Sequence, residues 1–84
     1  LEAARPGDAL EVYRHAVEGA IALRARPWYR EASRMVVCAL GLYARIGDAE
    51  AGTRWVAELR ARHASLPALQ QELDVALRPD ARAA

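Results

Sequence analysis

The stretch Met35-Val36-Val37-Cys38-Ala39-Leu40-Gly41-Leu42-Tyr43-Ala44 carries no charge and, apart from one phenol, no strong hydrogen-bonding side chain. A helix on the surface of a globule is apolar along one stripe, so a helix apolar all round has to be wrapped by its neighbours. Good helix formers flank the run, which predicts a central helix over residues 28–46 enclosed by the rest of the chain. That wrapping makes Cys38 and Tyr43 packing residues and leaves little interior for a substrate. The run is too short to cross a bilayer.

What surrounds it fits an all-α domain. Eighty-four residues make one domain of modest core, near the lower end of what folds without metals or disulfides. Alanine is abundant and phenylalanine absent, so helices pack closely through small side chains while Leu, Val, Ile, Tyr and Trp supply the hydrophobic area. A single cysteine forbids an internal disulfide and fits a reducing cytoplasm, the expected location. All twelve basic residues are arginines, yet the net charge is only +1, which argues against a chain built mainly to bind nucleic acid.

The pattern predicts an up-down bundle of about four helices, two long and two shorter, over residues 8–77, with tails at 1–7 and 78–84. Asp8 and Glu11 form a capping box for a first helix running to about Ala25. Its apolar stripe is Leu10, Tyr13, Val17, Ala20 and Ile21, widened by Val12, Ala16 and Leu23. Arg26-Pro27 ends it, because the residue before proline is pushed out of the helical region, and Pro27 suits the first turn of the central helix. Gly47 is a left-handed helix stop, and Asp48 caps a third helix over about Ala49 to His63. That helix turns Gly52, Trp55, Val56 and Leu59 inward; Glu50, Arg54, Glu58 and Arg62 form an exposed charge ladder. Ser65 caps a shorter fourth helix to about Leu77, apolar at Leu66, Leu69, Leu73, Ala76 and Leu77. Its short length and polar Gln70-Gln71-Glu72 face mark it as the least firmly held helix, able to swap between copies or yield to a partner helix.

Two resemblances follow from these residues. Tyr43, Gly47 and Asp48, with Gly52, Val56 and Leu59, resemble the turn and packing positions of a tetratricopeptide-type helical hairpin, over one repeat at most. An array would need about three repeats, so the likeness is one of hairpin packing. Over Asp8 to Leu73 the chain also resembles the helical C-terminal region of bacterial SWIM zinc-finger family proteins. Tyr13, Leu42-Tyr43-Ala44-Arg45-Ile46-Gly47 and Leu59-Arg60-Ala61-Arg62-His63 carry that likeness. Ala64-Ser65-Leu66-Pro67 stands where the family would have a basic run, and the family's zinc ligands are absent. This resemblance implies an accessory helical module and transfers no catalytic residue.

Candidates for chemistry are few. His15 and Glu11 stand one helical turn apart, but no third catalytic member is visible, and His63 suits the last turn of its helix as a dipole partner. No phosphate-cradling glycine loop or metal-ligand spacing occurs, so no enzyme, cofactor or metal is expected. The patch that stands out is Arg24, Arg26, Trp28, Tyr29, Arg30 and Arg34, four arginines and two aromatics against the single acid Glu31. It suits an acidic protein segment or, as the alternative, stacked bases of single-stranded nucleic acid. The leading expectation is a non-catalytic protein-interaction or scaffolding module. Its partner would be another domain, a separate protein or a second copy, with Arg24, Arg26, Trp28, Arg30 and Arg34 as candidate contacts.

Overall fold

A computed structural model describes residues 6–78. Over them the chain forms α1 (Pro6–Ala22), α2 (Arg26–Arg45), α3 (Ala49–Arg62) and α4 (Pro67–Ala76), with no strand among the described residues. The central element is α2, which packs against each of the other three.

Where the chain's turn chemistry is explicit, the boundaries follow it. Gly47 takes φ +78°, its N–H donates to Ala44 O at 3.1 Å, and the Asp48 N–H donates to Tyr43 O at 2.9 Å. These are the paired bonds of a Schellman stop, which satisfies carbonyls that the end of α2 would otherwise orphan. Asp48 then caps α3 through Oδ1, which accepts from the Ala51 N–H at 3.4 Å.

Elsewhere the boundaries shift. Helix α1 starts at Pro6, so Asp8 lies inside the first turn, where its charge suits the helix dipole, and does not act as the cap. Pro6 and Gly7 therefore belong to the helix and not to the expected tail; residues 1–5 and 79–84 lie outside the described residues. The helix ends at Ala22, short of the expected Ala25, because Arg24 adopts a left-handed φ of 55°. Extended Ala25 then admits Arg26 and Pro27 as the first residues of α2, two positions ahead of the expected start. Ser65 does not cap α4: the N-cap is Leu66, which makes no side-chain bond there.

The core consists of Leu10, Val17, Ala20 and Ile21 from α1, Tyr29, Ala32, Val36, Ala39 and Tyr43 from α2, Trp55 and Leu59 from α3, and Leu69 and Leu73 from α4. Tyr43 and Trp55 meet with ring centroids 6.1 Å apart. Buried Ser33 donates to Tyr29 O at 2.9 Å, so its hydroxyl is satisfied within the helix.

The expected wrapping of the apolar run is only half realised. Val36, Ala39 and Tyr43 are buried, but Cys38, Gly41 and Ala44 are exposed and Met35, Val37 and Leu42 half-buried. Cys38 is thus a surface residue, not a packing one. The reason is area: Cys, Gly and Ala are apolar in type but expose little hydrocarbon each, so leaving that arc of α2 bare costs little.

Candidate functional site

The arginine-aromatic patch is assembled but divided. Tyr29 leaves it, buried in the core, while Arg24, Arg26, Trp28, Arg30 and Arg34 remain on the surface. Arg26 donates to Glu72 Oε2 at 2.9 Å and to Gln71 Oε1 at 3.1 Å, and Arg30 Nε lies 3.6 Å from the other Glu72 oxygen. Arg34 lies 3.7 Å from Glu31. The excess positive charge apparent along residues 24–34 is therefore offset by an acid from α4, some 40 residues further along the chain.

These contacts also correct the expectation that α4 is loosely held by its polar face. Gln70 Nε2 donates to the carbonyls of Arg60 (3.3 Å) and His63 (2.9 Å), closing the end of α3, while its Oε1 accepts from Arg60 Nε at 2.9 Å. Arg60 also pairs with Asp74. The Gln70-Gln71-Glu72 segment is the strap that fastens α4 to α2 and α3.

A polar cleft lies between α1 and α3, lined by Glu11, Arg14, His15, Glu18, Glu58 and Arg62 beside Trp55. The ladder residues Glu50, Arg54, Glu58 and Arg62 are exposed as expected, but Arg62 turns across the cleft to pair with Glu18. His63 Nε2 lies 3.0 Å from the second Glu18 oxygen, so this histidine bridges two helices as well as ending one. Partial burial pushes the Glu18 carboxyl up, but hydrogen bonds from Arg62 and His63, reinforced by their charges, outweigh it and hold it below its ordinary value. His15 and Glu11 form only a loose exposed pair at 3.7 Å. Nothing in the cleft joins a nucleophile to a base, and among the described residues no three His, Cys, Asp or Glu side chains are grouped to hold a metal ion.

Glu18 yields a pH prediction. Because its folded-state pKa is lowered, its stabilising effect is complete above the ordinary carboxylate range and is lost as the pH falls through the lowered value. Urea midpoints measured from pH 7 downward should fall less steeply for Glu18→Gln than for the native chain. Parallel pH profiles would show that the α1–α3 bridge contributes nothing.

An apolar surface lies between α1 and the outer side of α2. One open hollow of about 500 Å³ is bounded by Asp8, Ala9, Val12, Tyr13, Ala16 and Met35. A second of about 360 Å³ shares Tyr13 and continues along Val37, Cys38, Gly41, Leu42 and Arg45. Val12, on the α1 side of the first hollow, is 67% exposed. No single residue type announces the groove in the sequence. A detectable signal is the second heptad-spaced apolar stripe on α1, Ala9, Val12, Ala16, Gly19 and Leu23, beside the stripe that faces the core.

Comparison of the chain with protein-family models, with curated proteins and with solved structures found no match. No helix among the described residues is long and apolar enough to cross a membrane.

Proposed function

We propose that this chain is a non-catalytic helical protein-interaction module whose docking surface is the apolar face between α1 and the outer side of α2. The observation that carries the reading is the shared groove of Val12, Tyr13, Ala16, Met35, Cys38 and Leu42, which no other helix among the described residues covers. A surface of this shape takes the apolar stripe of another helix. The arginine patch supports nucleic-acid binding less well, because Arg26 and Arg30 are engaged by Glu72 and Arg34 by Glu31.

The same reading includes the finer likenesses. Gly52 against Leu40 and Tyr43 gives α2 and α3 the close approach of a tetratricopeptide-type hairpin. An accessory role beside a zinc-binding part, as in SWIM zinc-finger proteins, and a cytoplasmic location belong to this proposal too.

Peptide display against the immobilised protein tests it. Selected sequences should be amphipathic helices, and paired Val12→Glu and Met35→Glu changes should weaken their binding by about tenfold or more with helicity unchanged. Binding that ignores those changes but is lost in Arg26→Glu would move the site to the arginine patch. Salt-sensitive binding of single-stranded oligonucleotides lost in that same variant would replace the reading with a nucleic-acid one.

A further inference from the structure

We propose that the partner of this face is a second copy of the chain, docked so that α2 crosses its symmetry mate antiparallel with Cys38 near the two-fold axis. The inference rests on the interaction-module reading and adds to it the partner and the orientation. One side of α2 carries Glu31, Met35, Cys38, Leu42 and Arg45, positions that recur at heptad spacing, of which Cys38 and Arg45 are exposed and the other three half-buried. Glu31 and Arg45 each stand seven residues from Cys38, one on either side. An antiparallel two-fold at Cys38 brings each Glu31 to the partner's Arg45, whereas a parallel one sets like charges together. The charges at the two ends of this line, Glu31 and Arg45, are therefore complementary in the antiparallel orientation.

Within that frame the apolar residues meet one another. Met35, Val37, Cys38, Gly41 and Leu42 form the middle of the face, and Val12 and Tyr13 of α1 flank it. Arg34 stays at the rim, where it already lies beside Glu31. Helix α2 has 20 residues, a length of about 30 Å, and two adjacent helices are about 20 Å across. Two such faces bury on the order of 1,200 Å², the lower edge of what specific interfaces use. Dimerisation is accordingly expected to be reversible and in the micromolar range, about 1–100 µM.

Sedimentation equilibrium of the whole chain, from about 1 µM to about 1 mM, reads this directly. The native chain should pass from monomer to dimer. Glu31→Arg and Arg45→Glu should each reduce the association constant by about tenfold, and the two together should restore it to within about threefold. Cys38→Ser should leave association intact, which separates packing from thiol oxidation. A native chain monomeric at the highest concentration would overturn the second-copy proposal while leaving the module reading to the peptide selection. Dimers indifferent to the charge exchange would overturn the antiparallel register. Dimers that persist in the Val12→Glu, Met35→Glu protein would place self-association on another surface and overturn the proposal.

Discussion

Ending the chain before Ser65 is expected to leave a protein that no longer unfolds cooperatively and that aggregates. Helix α4 contributes Leu69 and Leu73, both fully buried, to the surface of α2. Burying a leucine is worth about 1.5–3 kcal/mol, and the side chains it covers lose their own shelter when it goes. The total stability of a domain this size is only about 4–12 kcal/mol, so removal of one helix consumes most of it. The polar strap adds to the loss: without Gln70 the carbonyls of Arg60 and His63 at the end of α3 have no side-chain donor. Far-UV circular dichroism and size-exclusion chromatography would check the outcome. A soluble product with the native helicity of its remaining residues and a cooperative melt would mean that α1, α2 and α3 are a self-sufficient core. Leu73→Ala gives a graded version, with an expected cost of about 2–5 kcal/mol in urea denaturation.

The features legible in the sequence are those decided within a few residues. Gly47 followed by Asp48 specifies a left-handed stop and then a cap whatever the rest of the fold does, and both form as read. The inward positions Leu10, Val17, Ala20 and Ile21 of α1, Trp55 and Leu59 of α3, and Leu69 and Leu73 of α4 likewise follow from helical periodicity, whereas Val12 and Leu23, expected to widen the stripe of α1, are exposed. Arg24 carries no such mark. It occupies a left-handed conformation that glycine would announce, and the end of α1 shifts with it. Contacts between distant residues left no trace at all. Glu18 meets Arg62 and His63, and Arg26 meets Gln71 and Glu72, more than 40 positions along the chain. Each is a choice among several exposed charges that local pattern cannot rank. The arginine patch is the clearest case: its residues lie together on the surface, but Glu72 changes its electrostatics from outside the segment. Cys38 marks the opposite limit, because residue type alone cannot tell an apolar arc that is covered from one whose small side chains tolerate water.

Replacing Gly52 should destabilise the protein, while the same change at Gly19 should stabilise it. Both glycines lie inside helices, where alanine is intrinsically better by about 1 kcal/mol. At Gly19 a methyl group meets nothing within 4 Å, so the helical preference is all that changes. At Gly52 it would lie 2.9 Å from Leu40 Cδ2, 3.0 Å from Tyr43 Cδ2 and 3.1 Å from Tyr43 Cβ. The leucine methyl is the end of a flexible side chain and can move. Tyr43 cannot easily follow, being buried and set against Trp55. Overpacking of this kind costs about 1–3 kcal/mol, which exceeds the gain in helical preference over most of that range. Gly52→Val adds two further carbons and a β-branch, and its expected cost is about 3 kcal/mol or more. Urea denaturation of Gly19→Ala, Gly52→Ala and Gly52→Val should give midpoints in that descending order, with the native chain between the first two. Near-UV circular dichroism should change for both Gly52 variants, because separating α2 from α3 alters the Tyr43–Trp55 contact, and should stay the same for Gly19→Ala. If Gly52→Ala were instead as stable as Gly19→Ala with an unchanged aromatic spectrum, the α2–α3 spacing would not depend on the missing side chain.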